Sequence, residues 1–242
     1  MKEVTYTVLE NAPLTAGVYR LRLGGDTAAI TAPGQFLELR LPGFFLRRPL
    51  SVSDWDEHGV TILYKVVGGG TDWLSHAEPG QKLDALTGLG NGFNVAACGQ
   101  TPLVVGGGIG AAPLYGLAKR LRAAGKTPIA VLGFNTAAER FYETEFQALG
   151  IETVVATADG SYGVRGFVTD VLPERYDGFC ACGPLPMLRA LCAAAEGPGF
   201  LSLEARMGCG FGACMGCTIE TTAGPKRVCR EGPVFRKEEL TW

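Results

Sequence analysis

The sequence predicts a small β-barrel followed by an α/β domain, with a short cysteine-bearing module at the C-terminal end. Three observations predict it. Short runs rich in Val, Leu, Tyr and Phe fill the first hundred or so residues, with turn residues between them. From Pro102 onward, apolar strands alternate with helical stretches. Four cysteines, Cys209, Cys214, Cys217 and Cys229, then crowd the tail.

In the first part, strands are predicted over 4–9, 18–23, 36–41, 50–53, 60–66 and 82–86. Val18, Arg20 and Arg22 alternate with Tyr19, Leu21 and Leu23, the period of a half-buried strand. Six such runs close most simply into a barrel, which removes exposed edges. A brief helix over 71–77 interrupts them. In the second part, Leu103-Val104-Val105 is a continuous apolar strand leading into a glycine run and a helix over 113–124. Next come a strand at 128–133, a helix at 138–149, a strand at 152–156 and a short helix near 168–172. A strand at 179–182, a helix at 185–194 and a strand at 201–203 complete the series. Strand–helix alternation of this length makes βαβ units and a parallel sheet covered on both faces. The tail is too short for a core of its own, so a metal centre would supply what apolar burial lacks. The predicted boundaries are therefore 1–97, 98–203 and 204–242.

Composition narrows the function. Hydrophobic residues make up 47% of the chain and charged ones 19%, the reverse of a disordered chain. A net charge of −2 with no basic run argues against nucleic acid. The uncharged stretch 85–118 holds Thr87, Asn91, Asn94, Gln100, Thr101 and many glycines, so it offers no membrane span, and the first residues carry no export signal. A soluble, intracellular protein is expected. Glycine accounts for 35 of 242 residues, about twice the usual ~7%, as in a chain that approaches ligands with its backbone.

Four motifs carry chemistry. Cys209, Cys214 and Cys217, with Cys229 further on, have the C-x4-C-x2-C…C spacing of plant-type 2Fe-2S proteins. Interspersed Gly208, Gly210, Gly212 and Gly216 allow a loop that turns continuously and aims N–H groups at sulfur. A hairpin over 218–222 and 226–228 would bring in the fourth thiolate. Zinc is the competing metal, but a zinc ribbon normally shows two C-x2-C pairs, and only Cys214 and Cys217 form one. The remaining Cys98, Cys180 and Cys192 read as small buried hydrophobes. Second, the glycines following Leu103-Val104-Val105, among them Gly107, Gly108 and Gly110, form a strand–turn–helix platform suited to a pyrophosphate, or simply a tight turn. Third, Cys182-Gly183-Pro184 ends a strand where open α/β sheets bind ligands, so Cys182 borders a reacting ring or merely caps the strand. Fourth, in Arg48-Pro49-Leu50-Ser51, a guanidinium fork and a hydroxyl suit an anionic phosphate, although paired arginines also occur on solvated faces. Gly70-Thr71, opening the short helix, is a further phosphate-facing turn. His58 and His76 read as surface residues.

Together with Leu63-Tyr64-Lys65, Leu89-Gly90-Asn91-Gly92-Phe93 and Asp159-Gly160-Ser161-Tyr162-Gly163, these motifs, in this order, resemble the ferredoxin–NADP reductase superfamily. Within it, the whole chain is similar to the electron-transfer subunits of dihydroorotate dehydrogenase B, most closely from Ser202 through the cysteine loop to Phe235. Thr87-Gly88, Ala112 and Ala158 depart from the family pattern. The resemblance implies a ferredoxin-reductase-like fold with a FAD-binding barrel, a NAD-binding α/β domain and a 2Fe-2S module. It implies that Arg48, Pro49, Leu50 and Ser51 hold the flavin edge and pyrophosphate. Leu63, Tyr64 and Lys65 would line the flavin, and Gly70 and Thr71 would take the pyrophosphate. Gly107, Gly108, Gly110 and Cys182 would border the nicotinamide nucleotide, and Cys209, Cys214, Cys217 and Cys229 would ligate iron.

The function implied is a converter of pyrimidine biosynthesis in the cytoplasm. An FMN-containing dihydroorotate dehydrogenase partner, in a two-plus-two heterotetramer, would pass electrons through the cluster to FAD and on to NAD+. NAD is preferred to NADP because residues 134–140 offer one arginine rather than a cluster. The same module in a sulfide dehydrogenase or a ferredoxin-coupled reductase, or a redox sensor that binds no nicotinamide, remains open at this point.

Overall fold

In the computed structural model, which describes residues 1–242, the alternating first half closes into a six-stranded barrel. Its strands are β1 (Lys2–Thr15), β2 (Val18–Gly24), β3 (Phe36–Leu39), β4 (Arg48–Asp56), β5 (Gly59–Lys65) and β6 (Lys82–Leu89). They follow the order β1-β2-β5-β4-β3-β6, with every pair antiparallel. Tyr6, Leu21, Leu23, Leu37, Leu39, Ile62 and Tyr64 point inward and fill the barrel. On the outer face of β2, Arg20 bonds Glu10 at 2.6 Å and Arg22 bonds Asp56 at 2.7 Å. Val18 shares that outer face yet is buried, because this end of the wall packs on the second half of the chain. Helix α1 (Gly69–Ser75) lies between β5 and β6.

The second half is a sheet of β7 (Leu103–Gly107), β8 (Ile129–Phe134), β9 (Glu152–Thr157), β10 (Val164–Arg165), β11 (Phe179–Cys182) and β12 (Gly199–Ser202), in the order β10-β9-β8-β7-β11-β12. All these pairs are parallel. The order reverses between β7 and β11, so their carboxyl ends frame the crevice in which open α/β sheets bind ligands. Helices α2 (Ala111–Ala123), α3 (Glu143–Ala148) and α4 (Leu185–Ala194) connect the strands. Pro113 sits in the first turn of α2, where its missing N–H costs nothing.

Two predicted helices come out differently. The helix expected over 138–149 is a 3₁₀ turn (Ala137–Glu139), a break and the short α3. Tyr142 adopts φ 64 at the break, and Phe141 and Tyr142 turn inward. Their rings meet Phe134 and Tyr115 edge-on at 5.4 and 5.1 Å, so aromatic burial overrides helix propensity. The segment near 168–172 is a 3₁₀ turn (Val168–Val171).

The tail forms a hairpin of β13 (Thr218–Thr221) and β14 (Gly224–Arg227), then sends β15 (Val234–Arg236) antiparallel onto the edge of β12. One apolar cluster unites Phe36 and Leu89 of the barrel, Val105 and Val131 of the sheet, and Cys217, Val228, Cys229 and Phe235 of the tail. No helix is long and apolar enough to cross a membrane.

Candidate functional site

The barrel wall is open at one seam. The β4–β5 ladder runs from Asp56↔Gly59 only to Val52↔Ile62. Beyond that point Arg48, Pro49, Leu50 and Ser51 still pair with β3, and Leu63, Tyr64 and Lys65 still pair with β2, but the two segments do not pair with each other. Their facing N–H and C=O groups therefore lie along a cleft, free for a flat polar ligand. The side chains of Leu63 and Tyr64 turn away from it. Leu63 enters the core against α2, and Tyr64 lies inside the barrel with its hydroxyl donating to Asn11 at 3.0 Å. Burial pushes the Tyr64 phenol up, so it stays neutral. These residues thus offer the cleft backbone rather than side chains.

At the end of the seam, Arg48 meets helix α1. Its guanidinium covers Gly70 so closely that a Cβ there would stand 2.2 Å from Nε, and it lies 4.7 Å over the Phe44 ring. The Thr71 hydroxyl accepts from the N–H groups of Val67 at 2.9 Å and Gly68 at 3.2 Å, fixing the turn that leads into α1. Arg48, Gly70 and Thr71, distant in sequence, form one corner with a cation and free helix N–H groups, which suits a diphosphate.

The glycine turn lies against the same seam. The 3₁₀ turn Gly108–Gly110 contacts β5, and Leu63 shares a cluster with Ala111 and Ala112. A side chain at Gly110 would put its Cβ 2.3 Å from the Cys182 carbonyl oxygen, so the turn and the end of β11 touch through backbone. Cys182 itself is 2% exposed, and burial pushes its thiol up to about 12. A neutral thiol at this place shapes the crevice and does no acid–base work at neutral pH. Arg140 stacks 3.6 Å over Tyr162 and pairs with Glu143. His58 and His76 are both exposed.

The cysteine loop docks on the opposite side of β4, across β3. Gly210 (φ 74), Gly212 (φ 91) and Met215 (φ 62) give its left-handed turns. Cys209 Sγ accepts from the N–H groups of Ala213 at 3.2 Å and Cys214 at 3.4 Å, and Cys217 Sγ from that of Cys229 at 3.4 Å. Burial opposes ionisation of Cys209, yet the surrounding N–H groups outweigh it and draw the thiol down to about 6. Cys217 and Cys229 are buried, Cys209 is half-buried and Cys214 is exposed. No three His, Cys, Asp or Glu side chains converge as a single-ion site would. The fit to an iron–sulfur cluster rests on four thiols from two segments and on N–H groups aimed at sulfur.

Two residues to which sequence reasoning assigned no role join the loop to the barrel, although one of them, Asn91, lies in the motif Leu89-Gly90-Asn91-Gly92-Phe93. Asn91 donates through Nδ2 to the Glu231 carbonyl at 2.6 Å and accepts at Oδ1 from the Val234 N–H at 3.2 Å. Its own N–H reaches the Gly232 carbonyl at 2.7 Å. Glu38, on β3 opposite Pro49, is fully buried, and neither carboxylate oxygen has a hydrogen-bond partner. Gly210 lies against it, so that a Cβ there would be 2.5 Å from Oε1. Burial, reinforced by Cys209 and opposed by Arg47 and Arg48, raises its pKa to about 7. In the sequence Glu38 is only the polar position of an alternating strand.

Comparison with known proteins agrees with this geometry. Residues 204–241 match the iron–sulfur cluster binding domain of dihydroorotate dehydrogenase B. A dihydroorotate dehydrogenase B (NAD(+)) electron transfer subunit of Bacillus pumilus is 42% identical over 255 residues, covering 99% of this chain and 98% of that protein. Its counterpart in a Geobacillus species is 44% identical over 255 residues, covering 99% of each. Among solved structures, an NADH-dependent reduced ferredoxin-NADP oxidoreductase superposes with a TM-score of 0.89 at 32% identity, over 98% of this chain and 90% of that one. An Amycolatopsis cytochrome P450 reductase gives 0.70 at 27% identity, over 80% of this chain and 65% of that one. The chain is an oxidoreductase component and belongs to the family of dihydroorotate dehydrogenase B (NAD(+)) electron transfer subunits.

Proposed function

We propose that this chain carries electrons from the FMN of a partner dihydroorotate dehydrogenase subunit, by way of a 2Fe-2S cluster and FAD, to NAD+. The partner would assemble two plus two with it in the cytoplasm, and segments 1–97, 98–203 and 204–242 would hold FAD, NAD and the cluster respectively. A flavin exchanges hydride with a nicotinamide and also passes single electrons, whereas a 2Fe-2S cluster passes one at a time.

One observation carries the reading: the open β4–β5 seam has the glycine turn on one side and the cysteine loop, across β3, on the other. The facing backbone groups of Arg48–Ser51 and Leu63–Lys65 orient the flavin ring edge. Arg48, Gly70 and Thr71 neutralise its diphosphate. Gly107, Gly108 and Gly110, with the buried Cys182, border the nicotinamide and exclude water from its face. Cys209, Cys214, Cys217 and Cys229 ligate the irons. Arg140, already committed to Glu143 and Tyr162, is not free to pair with a 2′-phosphate, which favours NAD over NADP.

Anaerobic mixing tests the proposal. NADH should bleach the bound flavin, iron and acid-labile sulfide should be present in equal amounts, and the protein should co-purify from its native cells with an FMN-containing dihydroorotate dehydrogenase. Flavin that NADH leaves oxidised would refute the hydride step. The likeness to a ferredoxin-NADP oxidoreductase favours a second reading, the same module in a ferredoxin-coupled complex. Co-purification with such an enzyme in place of the dihydroorotate dehydrogenase would decide for it.

A further inference from the structure

Away from these sites, Cys98 and Cys180 bring their sulfurs to 3.4 Å, both buried. Cys98 closes a turn in the connection between β6 and β7, where its N–H and its thiol both reach the Asn94 carbonyl, at 3.2 and 3.4 Å. Cys180 is held within β11, in register with Val104 on one side and Phe200 on the other. One sulfur is thus fixed in a central strand, and the other sits on a hydrogen-bonded turn beside it. A disulfide needs about 2.05 Å, so the two sulfurs must approach by roughly 1.3 Å.

Two further features suit the pair to oxidation. Lys126 Nζ donates to the Gly99 carbonyl at 2.8 Å and to that of Cys98, placing a cation beside the turn. The contact with Cys180, opposed by burial and reinforced by Lys126, holds the Cys98 thiol below its ordinary value, and thiolate is the reactive form. The pair lies close beneath the surface. A surface groove of about 530 Å³ is lined by Ala97, Pro198 and Phe200, and the same three residues wall the tight crevice that holds Cys98 and Cys180, which admits a peroxide only when these side chains part.

We propose that Cys98 and Cys180 form a two-electron oxidation site, a dithiol that a hydroperoxide converts to a disulfide. With hydrogen peroxide, Cys98 sulfur attacks one oxygen, the O–O bond breaks, and a sulfenic acid and one water result. Cys180 sulfur then attacks the sulfenic sulfur, the S–S bond forms, the S–O bond breaks and the hydroxyl leaves with the Cys180 proton as the second water, the first water having taken the Cys98 proton. The dithiol loses two electrons and the peroxide gains them. The new bond joins residues 82 positions apart, tying the β6–β7 connection to the strand that ends at Cys182.

The experiment treats purified cofactor-loaded protein with hydrogen peroxide near stoichiometry, then unfolds it in N-ethylmaleimide and maps the peptides by mass spectrometry. The expected product is a cross-linked peptide two hydrogens lighter, assigned by fragmentation to Cys98 and Cys180 rather than Cys182, and reversed by dithiothreitol. The Cys98→Ala variant should lack it. Maleimide on both residues after oxidation, a sulfinic acid on Cys98 beside a free Cys180, or cross-links confined to the four cluster cysteines would each overturn the proposal. The map of the wild-type chain decides the matter even if the variant folds poorly or the cluster bleaches.

Discussion

Glu38 gives the sharpest quantitative test. It is fully buried between β3 and the cysteine loop with neither oxygen bonded, and its pKa is raised from 4.5 to about 7. A raised carboxyl pKa penalises the folded state once the group must ionise. Stability is therefore unaffected below pH 4.5, falls as pH rises toward 7 and levels off above it. At 1.36 kcal/mol per unit the full cost is about 3 kcal/mol, of which about 2 kcal/mol develops between pH 5.5 and 8. Glu38→Gln keeps the shape and removes the charge. The variant should gain on the wild type as pH rises, by about 4–8 °C in melting temperature between pH 5.5 and 8 for a chain of this size. Thermal unfolding followed by circular dichroism at the two pH values measures it. A difference between the proteins that does not change with pH, or a variant less stable than wild type at pH 8, would refute the reasoning.

Other perturbations address the remaining contacts. Asn91→Ala removes two bonds from the barrel to the tail and should cost about 1–3 kcal/mol, with a matching loss of iron and sulfide on dialysis. Urea unfolding and metal analysis read both effects. Gly110→Ala forces a Cβ against the Cys182 carbonyl, a backbone atom that cannot swing aside. Weaker binding of NADH, by about 1–3 kcal/mol, should follow with flavin content unchanged, as measured by NADH titration of flavin absorbance. Cys182→Ala should leave the rate of flavin reduction by NADH equally flat from pH 6 to 9, since a thiol pushed up to about 12 does not ionise there. A wild-type inflection in that range that vanishes in the variant would overturn the assignment of a neutral thiol.

Local pattern determined much of this protein. Period-two runs such as 18–23 alternate because one face meets a core, and that constraint is written residue by residue. The switch to βαβ at Leu103 is equally local, as is the C-x4-C-x2-C spacing, which reflects the reach of one continuous loop. Tertiary packing decided the rest. The helix expected over 138–149 breaks because Phe141 and Tyr142 find aromatic partners in Phe134 and Tyr115 that no local pattern announces. The seam between Arg48–Ser51 and Leu63–Lys65 is a pairing that stops, and pairing belongs to two strands at once. Glu38 looks like an ordinary outward strand residue until the cysteine loop covers it. Sequence states what each segment buries or turns, whereas the cost of a buried charge and the opening of a cleft arise only when distant segments meet.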